Sequence, residues 1–226
     1  MKPFLDRVTI CGADDSTQIS DLKTLTSEFP FVEWGILVMK GRQRVGYPSY
    51  KKVVEFLEAG LPCAGHLCGD WASDINDGFW SIFASHPRYT EFQRFQINFA
   101  GKPIRPMVVA GIALTKLRQQ IIFQVSDFEH LVFRLALATN LNVAAFYDLS
   151  HGNGKPVENW PKTPEIGYYG YAGGLNPENL ARQLEAISQV AKVPSWIDVQ
   201  TGVLTGNEFD IDKVRQFLTI AKEWVI

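Results

Sequence analysis

Short runs rich in β-branched and aromatic residues recur along the chain at an even interval, each closed by a nearby Gly, Asp or Ser. They fall at residues 7–11, 31–38, 62–68, 95–99, 120–125, 142–148, 166–171 and 195–200. Between most of them the apolar positions move to a spacing of three and four, the period of an amphipathic helix. Strand and helix periods in alternation predict βα units. Eight units in 226 residues leave about 28 residues each, room for a strand, a helix and two short loops. No linker or shift of composition interrupts the series, so one domain spanning residues 1–226 is expected.

Local signals refine this parse. Ser126-Asp127-Phe128-Glu129 has the form of a capping box, which predicts a helix directly after the fifth strand. Asn176-Pro177 offers an N-cap and a first-turn proline to a helix carrying Leu180, Leu184, Ile187 and Val190. Asp210 is placed to cap a last helix, and Pro30 to stop the first. The longer stretches at 72–94 and 100–116, with scattered Gly and Pro, predict irregular or extended connections. Eight parallel strands close most simply as a (β/α)8 barrel of the TIM type, because closure removes both sheet edges. An open doubly wound sheet would carry a glycine-rich turn after its first strand, and Gly12-Ala13-Asp14 is no such turn.

Composition narrows the functional classes. Hydrophobic residues make up 46% of the chain, with 6 Trp, 7 Tyr and 15 Phe, ample material for a large core. A net charge of −2, from 22 basic and 24 acidic residues, excludes the basic surface of a nucleic-acid binder. Apolar stretches such as residues 35–39 are far too short to cross a bilayer, and the N-terminus has no signal segment. Three cysteines at irregular spacing do not form a disulfide framework, so a cytoplasmic location is expected.

In such a barrel the chemistry sits where strands end. Alternation puts Thr9 and Cys11 on one face of their strand, Ala144, Phe146 and Asp148 on one face of theirs, and Asp198 with Gln200 on another. If these faces look inward, a thiol and carboxylates converge and can divide acid and base work. The plainer reading, a buried cysteine and a loop carboxylate, stands beside it. Gly173-Gly174 precede a capped helix, and Thr201-Gly202 close the eighth strand, the position where barrels hold phosphate. Glycines that merely turn the chain are the other reading. Cys63, His66 and Cys68 lie close in sequence, but Cys63 faces away from the other two, so no metal site is expected. His151 reads as a loop residue or a second acid/base group, and Trp71, Phe79 and Trp80 as core, a lid or a dimer contact.

Five segments, in order, resemble the phosphoribosylanthranilate isomerase family. Thr9-Ile10-Cys11-Gly12 is similar to its opening K-I-C-G, and Arg44-Val45-Gly46-Tyr47-Pro48 to R-Y-V-S-P after the second strand. Phe146-Tyr147-Asp148, followed by Gly152-Asn153-Gly154-Lys155 and Trp160, resembles L-L-D…G-G-T-G-K…W. Residues 172–179 read A-G-G-L-N-P-E-N, as in the family, and Ile197-Asp198-Val199…Gly202-Val203 resembles V-D-V-S-S-G-V-E. The resemblance implies an aldose–ketose isomerase of tryptophan biosynthesis that performs an Amadori rearrangement without metal or organic cofactor. It implies Cys11 as general base, Asp148 as general acid and Arg44 as the clamp on the anthranilate carboxylate. Gly173, Gly174, Thr201 and Gly202 would cradle the phosphate, and Asp198 would line the pocket. The implied partner is a small phosphorylated substrate, with no nucleic acid or membrane, bound to a monomer or homodimer.

The chain departs from the family pattern at Thr9 for lysine, Asn98 for the histidine of strand four, Gln200-Thr201 for paired serines and Leu204 for glutamate. Loss of the lysine removes a positive charge near the thiol. These changes keep two alternatives open: a barrel that binds a phosphorylated metabolite without catalysis, and an isomerase or lyase acting on another sugar phosphate.

Overall fold

The computed structural model describes residues 3–40, 46–82, 86–115, 118–148, 154 and 156–226. Eight parallel strands hydrogen-bond in sequence order and close on themselves: β1 (Leu5–Cys11), β2 (Val32–Met39), β3 (Cys63–Cys68), β4 (Arg94–Ile97), β5 (Gln120–Val125), β6 (Val143–Asp148), β7 (Tyr169–Ala172) and β8 (Ser195–Val199). All eight strands expected from the sequence are present, with ends shifted by at most three residues. The circle closes where β1 pairs with β8, Thr9 opposite Asp198. Seven α-helices occur among the described residues: α1 (Ile19–Glu28), α2 (Tyr50–Glu58), α3 (Asp70–Asn76), α4 (Met107–Thr115), α5 (Leu131–Ala138), α6 (Leu180–Ser188) and α7 (Ile211–Lys222). None is long and apolar enough to cross a membrane.

The strands are buried on both faces, as parallel sheets are. Their outward residues, among them Val8, Ile10, Trp34 and Ile36, join the helices in one large apolar cluster. The barrel interior is divided. On the β5–β8 side Ile122, Ala144, Phe146, Ala172 and Trp196 form a separate apolar plug, with the Phe146 and Trp196 rings stacked 6.2 Å apart. Towards β1–β4 the lower interior is polar. Arg94 reaches across to Glu33 with Nη2 to Oε2 at 2.6 Å and Nε to Oε1 at 2.8 Å, while Thr9 Oγ1 donates to Glu33 Oε2 at 2.9 Å. The positive charge expected to be missing at Thr9 therefore enters the same layer from Arg94, already matched by Glu33.

Three local expectations are corrected. The capping box at Ser126 is not used: Asp127 Oδ1 accepts the Glu129 N–H in a turn, and α5 begins only at Leu131 behind His130. Residues 100–116 are not wholly irregular, since α4 spans Met107–Thr115 as a uniformly apolar segment, and Trp80 packs over its Gly111. Among the described residues of 72–94, α3 and a 3-10 turn at Pro87–Glu91 interrupt the irregular connection. Trp71 is core and Trp80 half-buried, but Phe79 is exposed. Asp210 does cap α7, accepting from Lys213 N at 3.0 Å, and Phe29 ends α1 before Pro30.

Candidate active site

At the C-terminal mouth of the barrel opens a cavity of about 430 Å³. Cys11, Asp148 and Asp198 line it, together with Gly173, Gly174, Thr201 and Gly202. Seven of the eight site residues expected from the sequence thus face one space. The eighth, Arg44, lies outside the described residues, as do His151, Gly152, Asn153 and Lys155.

Cys11, the last residue of β1, is buried, with its sulfur directed at two neighbours. Sγ donates to Asp198 Oδ1 at 3.5 Å and lies 3.4 Å from His66 Nδ1. His66 sits in the middle of β3, and its Nε2 is 3.8 Å from Asp198 Oδ2. The cluster fits because β2 offers no side chain beneath it. A Cβ at Gly35 would stand 2.3 Å from the Cys11 sulfur and 2.9 Å from His66 Cε1.

Burial dominates the electrostatics here. It pushes the Asp198 carboxyl up to about 8; the hydrogen bond from Cys11 opposes the rise, and the negative field of Asp148 adds to it. It pushes the Cys11 thiol well above its ordinary range, reinforced by Asp198, and drives His66 down to about 4. At neutral pH the trio is therefore uncharged: thiol, neutral imidazole and protonated carboxyl. Across the cavity Asp148, the last residue of β6, accepts from Gln124 Nε2 at 3.0 Å, and Gln124 Oε1 accepts the Ala100 N–H at 3.1 Å. The Gln124 amide thus ties the Asp148 side chain to β5 and to the Ala100 backbone.

The glycine loop after β7 is tied down from behind. Asn176 and Asn179 exchange hydrogen bonds, each backbone N–H donating to the other's side-chain oxygen, at 3.0 and 2.9 Å. Asn179 Nδ2 also donates to Gly174 O at 2.8 Å. The helix α6 begins at Leu180 behind Asn179, so the expected cap and proline at Asn176-Pro177 form a turn that leads into it rather than its first residues. Gly173 and Gly174 adopt φ of +140° and +60°, which other residues rarely reach. Gly202 presses on this loop, and a Cβ there would lie 1.9 Å from Leu175 O.

His66, set aside in the sequence with Cys63 and Cys68, joins the site from β3, where it lies in register with Gln96 of β4. Asn98 now receives Gln96 Nε2 at 2.9 Å and donates to Cys68 Sγ at 3.2 Å, while Gln96 touches His66 Nδ1 at 3.4 Å. Leu204 instead packs on Gly12 from a small hairpin, Leu204–Thr205 with Glu208–Phe209. A second cavity of about 240 Å³ shares Met39 and Tyr47 with the first; Trp71, Tyr50, Tyr89 and His86 wall it, and Lys40 Nζ stands 4.9 Å from the Trp71 ring centroid.

No protein-family model matches the chain. A curated relative, the N-(5'-phosphoribosyl)anthranilate isomerase of Lacticaseibacillus casei, is 24% identical over 224 residues, 97% of this chain and 96% of the relative. The phosphoribosyl anthranilate isomerase of Thermotoga maritima superposes with a TM-score of 0.58 at 20% identity, covering 97% of this chain and all of the other. The same score, identity and coverage hold for such an isomerase in complex with reduced 1-(o-carboxyphenylamino)-1-deoxyribulose 5-phosphate. The structural likenesses establish the fold, and the sequence likeness runs from end to end. Over nearly its whole length the chain is thus similar to phosphoribosylanthranilate isomerases, in sequence and in fold.

Proposed function

We propose that the chain is an aldose–ketose isomerase of the phosphoribosylanthranilate type, converting the phosphoribosyl amine to its aminodeoxyribulose isomer in tryptophan biosynthesis. The observation that carries this reading is the cavity where Cys11 and Asp148 stand on opposite strands with Gly173, Gly174, Thr201 and Gly202 at its rim. Asp148 in its protonated form gives that proton to the ribose ring oxygen; the ring opens to an iminium, and Cys11 as thiolate removes the C2′ proton to give the enamine, which tautomerises to the ketone. Cys11 must first lose its own proton. The neutral His66 at 3.4 Å is placed to take it, and the positive iminium favours the thiolate. The glycine amides and the helix start behind them hold the phosphate, and Arg44 the carboxylate. The aromatic-walled second cavity, with Lys40 at its edge, suits a ring bearing an anion. In this reading the chain works in the cytoplasm as a monomer or homodimer, needing neither nucleic acid nor membrane.

The test is fluorescence-followed turnover of phosphoribosylanthranilate by the unaltered chain and by Cys11→Ala and Asp148→Asn. Each variant is expected to lose about 100- to 10,000-fold in kcat. The resting protonation of Cys11 favours one competitor, a barrel that holds a phosphorylated metabolite without turning it over. Calorimetric binding of ribose 5-phosphate with no turnover would decide for that competitor. An isomerase for another sugar phosphate would show activity that Arg44→Ala leaves nearly unchanged.

A further inference from the structure

Cys11, His66 and Asp198 are buried at one wall of the main cavity, and one ligand atom of each lies within 4.8 Å of the others. The sulfur is 3.5 and 3.7 Å from the two Asp198 oxygens, and His66 Nε2 is 3.8 Å from Asp198 Oδ2. Zinc holds a thiolate at about 2.3 Å and imidazole or carboxylate at about 2.0–2.2 Å, which in a tetrahedron sets ligand-to-ligand edges of about 3.4–3.6 Å. The two edges that meet at Asp198 therefore lie within a few tenths of an ångström of those of such a tetrahedron.

A second observation points the same way. His66 is 2% exposed, yet among the described residues its Nε2 has no hydrogen-bond partner, whereas Nδ1 meets Cys11 and Gln96. Buried polar atoms are nearly always satisfied, and this one lies beside a carboxylate and a thiol. Gln96 Nε2 meets the imidazole at Nδ1, 3.4 Å away, and leaves Nε2 to face Asp198. Gly35 keeps the space below the cluster clear.

We propose that Cys11 Sγ, His66 Nε2 and the Asp198 carboxylate form a binding site for a thiophilic divalent cation of the zinc class, with its fourth position open to the cavity. Sulfur and imidazole donors select such an ion over magnesium or calcium. Three protein ligands and an open position are the pattern of reactive zinc sites rather than closed structural ones. Binding replaces the thiol proton by the metal and releases that proton to solvent, with no change of oxidation state. In the isomerase reading, on which only this consequence rests, the ion occupies the sulfur of the base and stops turnover.

The experiment titrates the chelator-stripped chain with cobalt and follows the near-ultraviolet charge-transfer band of a cobalt thiolate, with zinc as competitor. One equivalent is expected to saturate the band and zinc to abolish it. Cys11→Ser should remove the band, and His66→Ala and Asp198→Asn should each weaken binding by tenfold or more. Cys63→Ala, in the core outside the barrel, should leave it unchanged, with circular dichroism checking the fold of every variant. No band at millimolar cobalt, or a band that survives both Cys11→Ser and His66→Ala, overturns the site. A parallel turnover assay with one equivalent of zinc is expected to show loss of activity, restored by chelator. A chain inactive even without zinc would defeat the isomerase reading and leave the cobalt result to decide this one.

Discussion

Beneath Cys11 the neighbouring strand carries no side chain, and that absence shapes the site. The sulfur, the His66 ring and the Asp198 carboxyl share a volume that a methyl group at Gly35 would enter at 2.3 Å from sulfur. Neither β2 nor β3 can give way easily, because both are locked into the closed hydrogen-bonded circle. Gly35→Ala is expected to cost about 1–3 kcal/mol, the range of core overpacking, and to lower kcat/KM at least tenfold by turning Cys11 from its partners. Thermal unfolding and steady-state kinetics read both effects; a variant equal to the unaltered chain in both would refute this account. Cys11, Asp148 and Asp198 were legible as candidates because residue type and strand alternation suffice to place them. His66 was not, because its role depends on the distance across two intervening strand pairings rather than on its neighbours in sequence.

Elements act on the site through their ends. The glycine loop after β7 keeps its shape through the start of α6, where Asn179 binds both Asn176 and the Gly174 carbonyl. Asn179→Ala is expected to destabilise the fold by about 1 kcal/mol, as loss of an N-terminal cap does. It should raise KM for the phosphorylated substrate several-fold while changing kcat little, since in the proposed reading the loop holds phosphate and not the reacting carbons. An equal fall in kcat with KM unmoved would argue against the cradle. This motif could be read in advance because its bonds join residues three to five apart. The capping box at Ser126 looked equally good and is not used, since Asp127 takes the Glu129 N–H into a turn and the helix starts beyond it.

Across the whole molecule, the uncharged trio couples stability to pH. Unfolding exposes Asp198 to water, where it ionises near 3.8, whereas in the folded barrel it holds its proton to about 8. Its contribution is therefore full at low pH and lost as pH rises through that window. His66 runs the other way: with its folded value at about 4 against 6.5, its contribution is present above 6.5 and lost as pH falls towards 4. The two slopes cancel between about pH 4 and 6.5 and leave Asp198 alone above that. Lowering pH from 8.5 to 6.5 is expected to stabilise the chain by on the order of 1–2 kcal/mol. Chemical denaturation across that range measures it, and Asp198→Asn should flatten the profile. A gain that persists in Asp198→Asn would place the titrating group elsewhere.

Strand and helix periods, an even repeat and the turn residues were enough to determine a closed eightfold barrel, because backbone hydrogen bonding and apolar burial depend on patterns that repeat locally. The same reasoning located the strand ends where chemistry collects. Only tertiary structure decided which charges meet. Arg94, far along the chain, supplies the cation that Thr9 lacks and neutralises it on Glu33, and β3 brings an imidazole to the sulfur of β1. Those meetings are set by strand register and by the room left at a single glycine, and they fix the protonation of each group because burial acts on the assembled neighbourhood rather than on any residue alone.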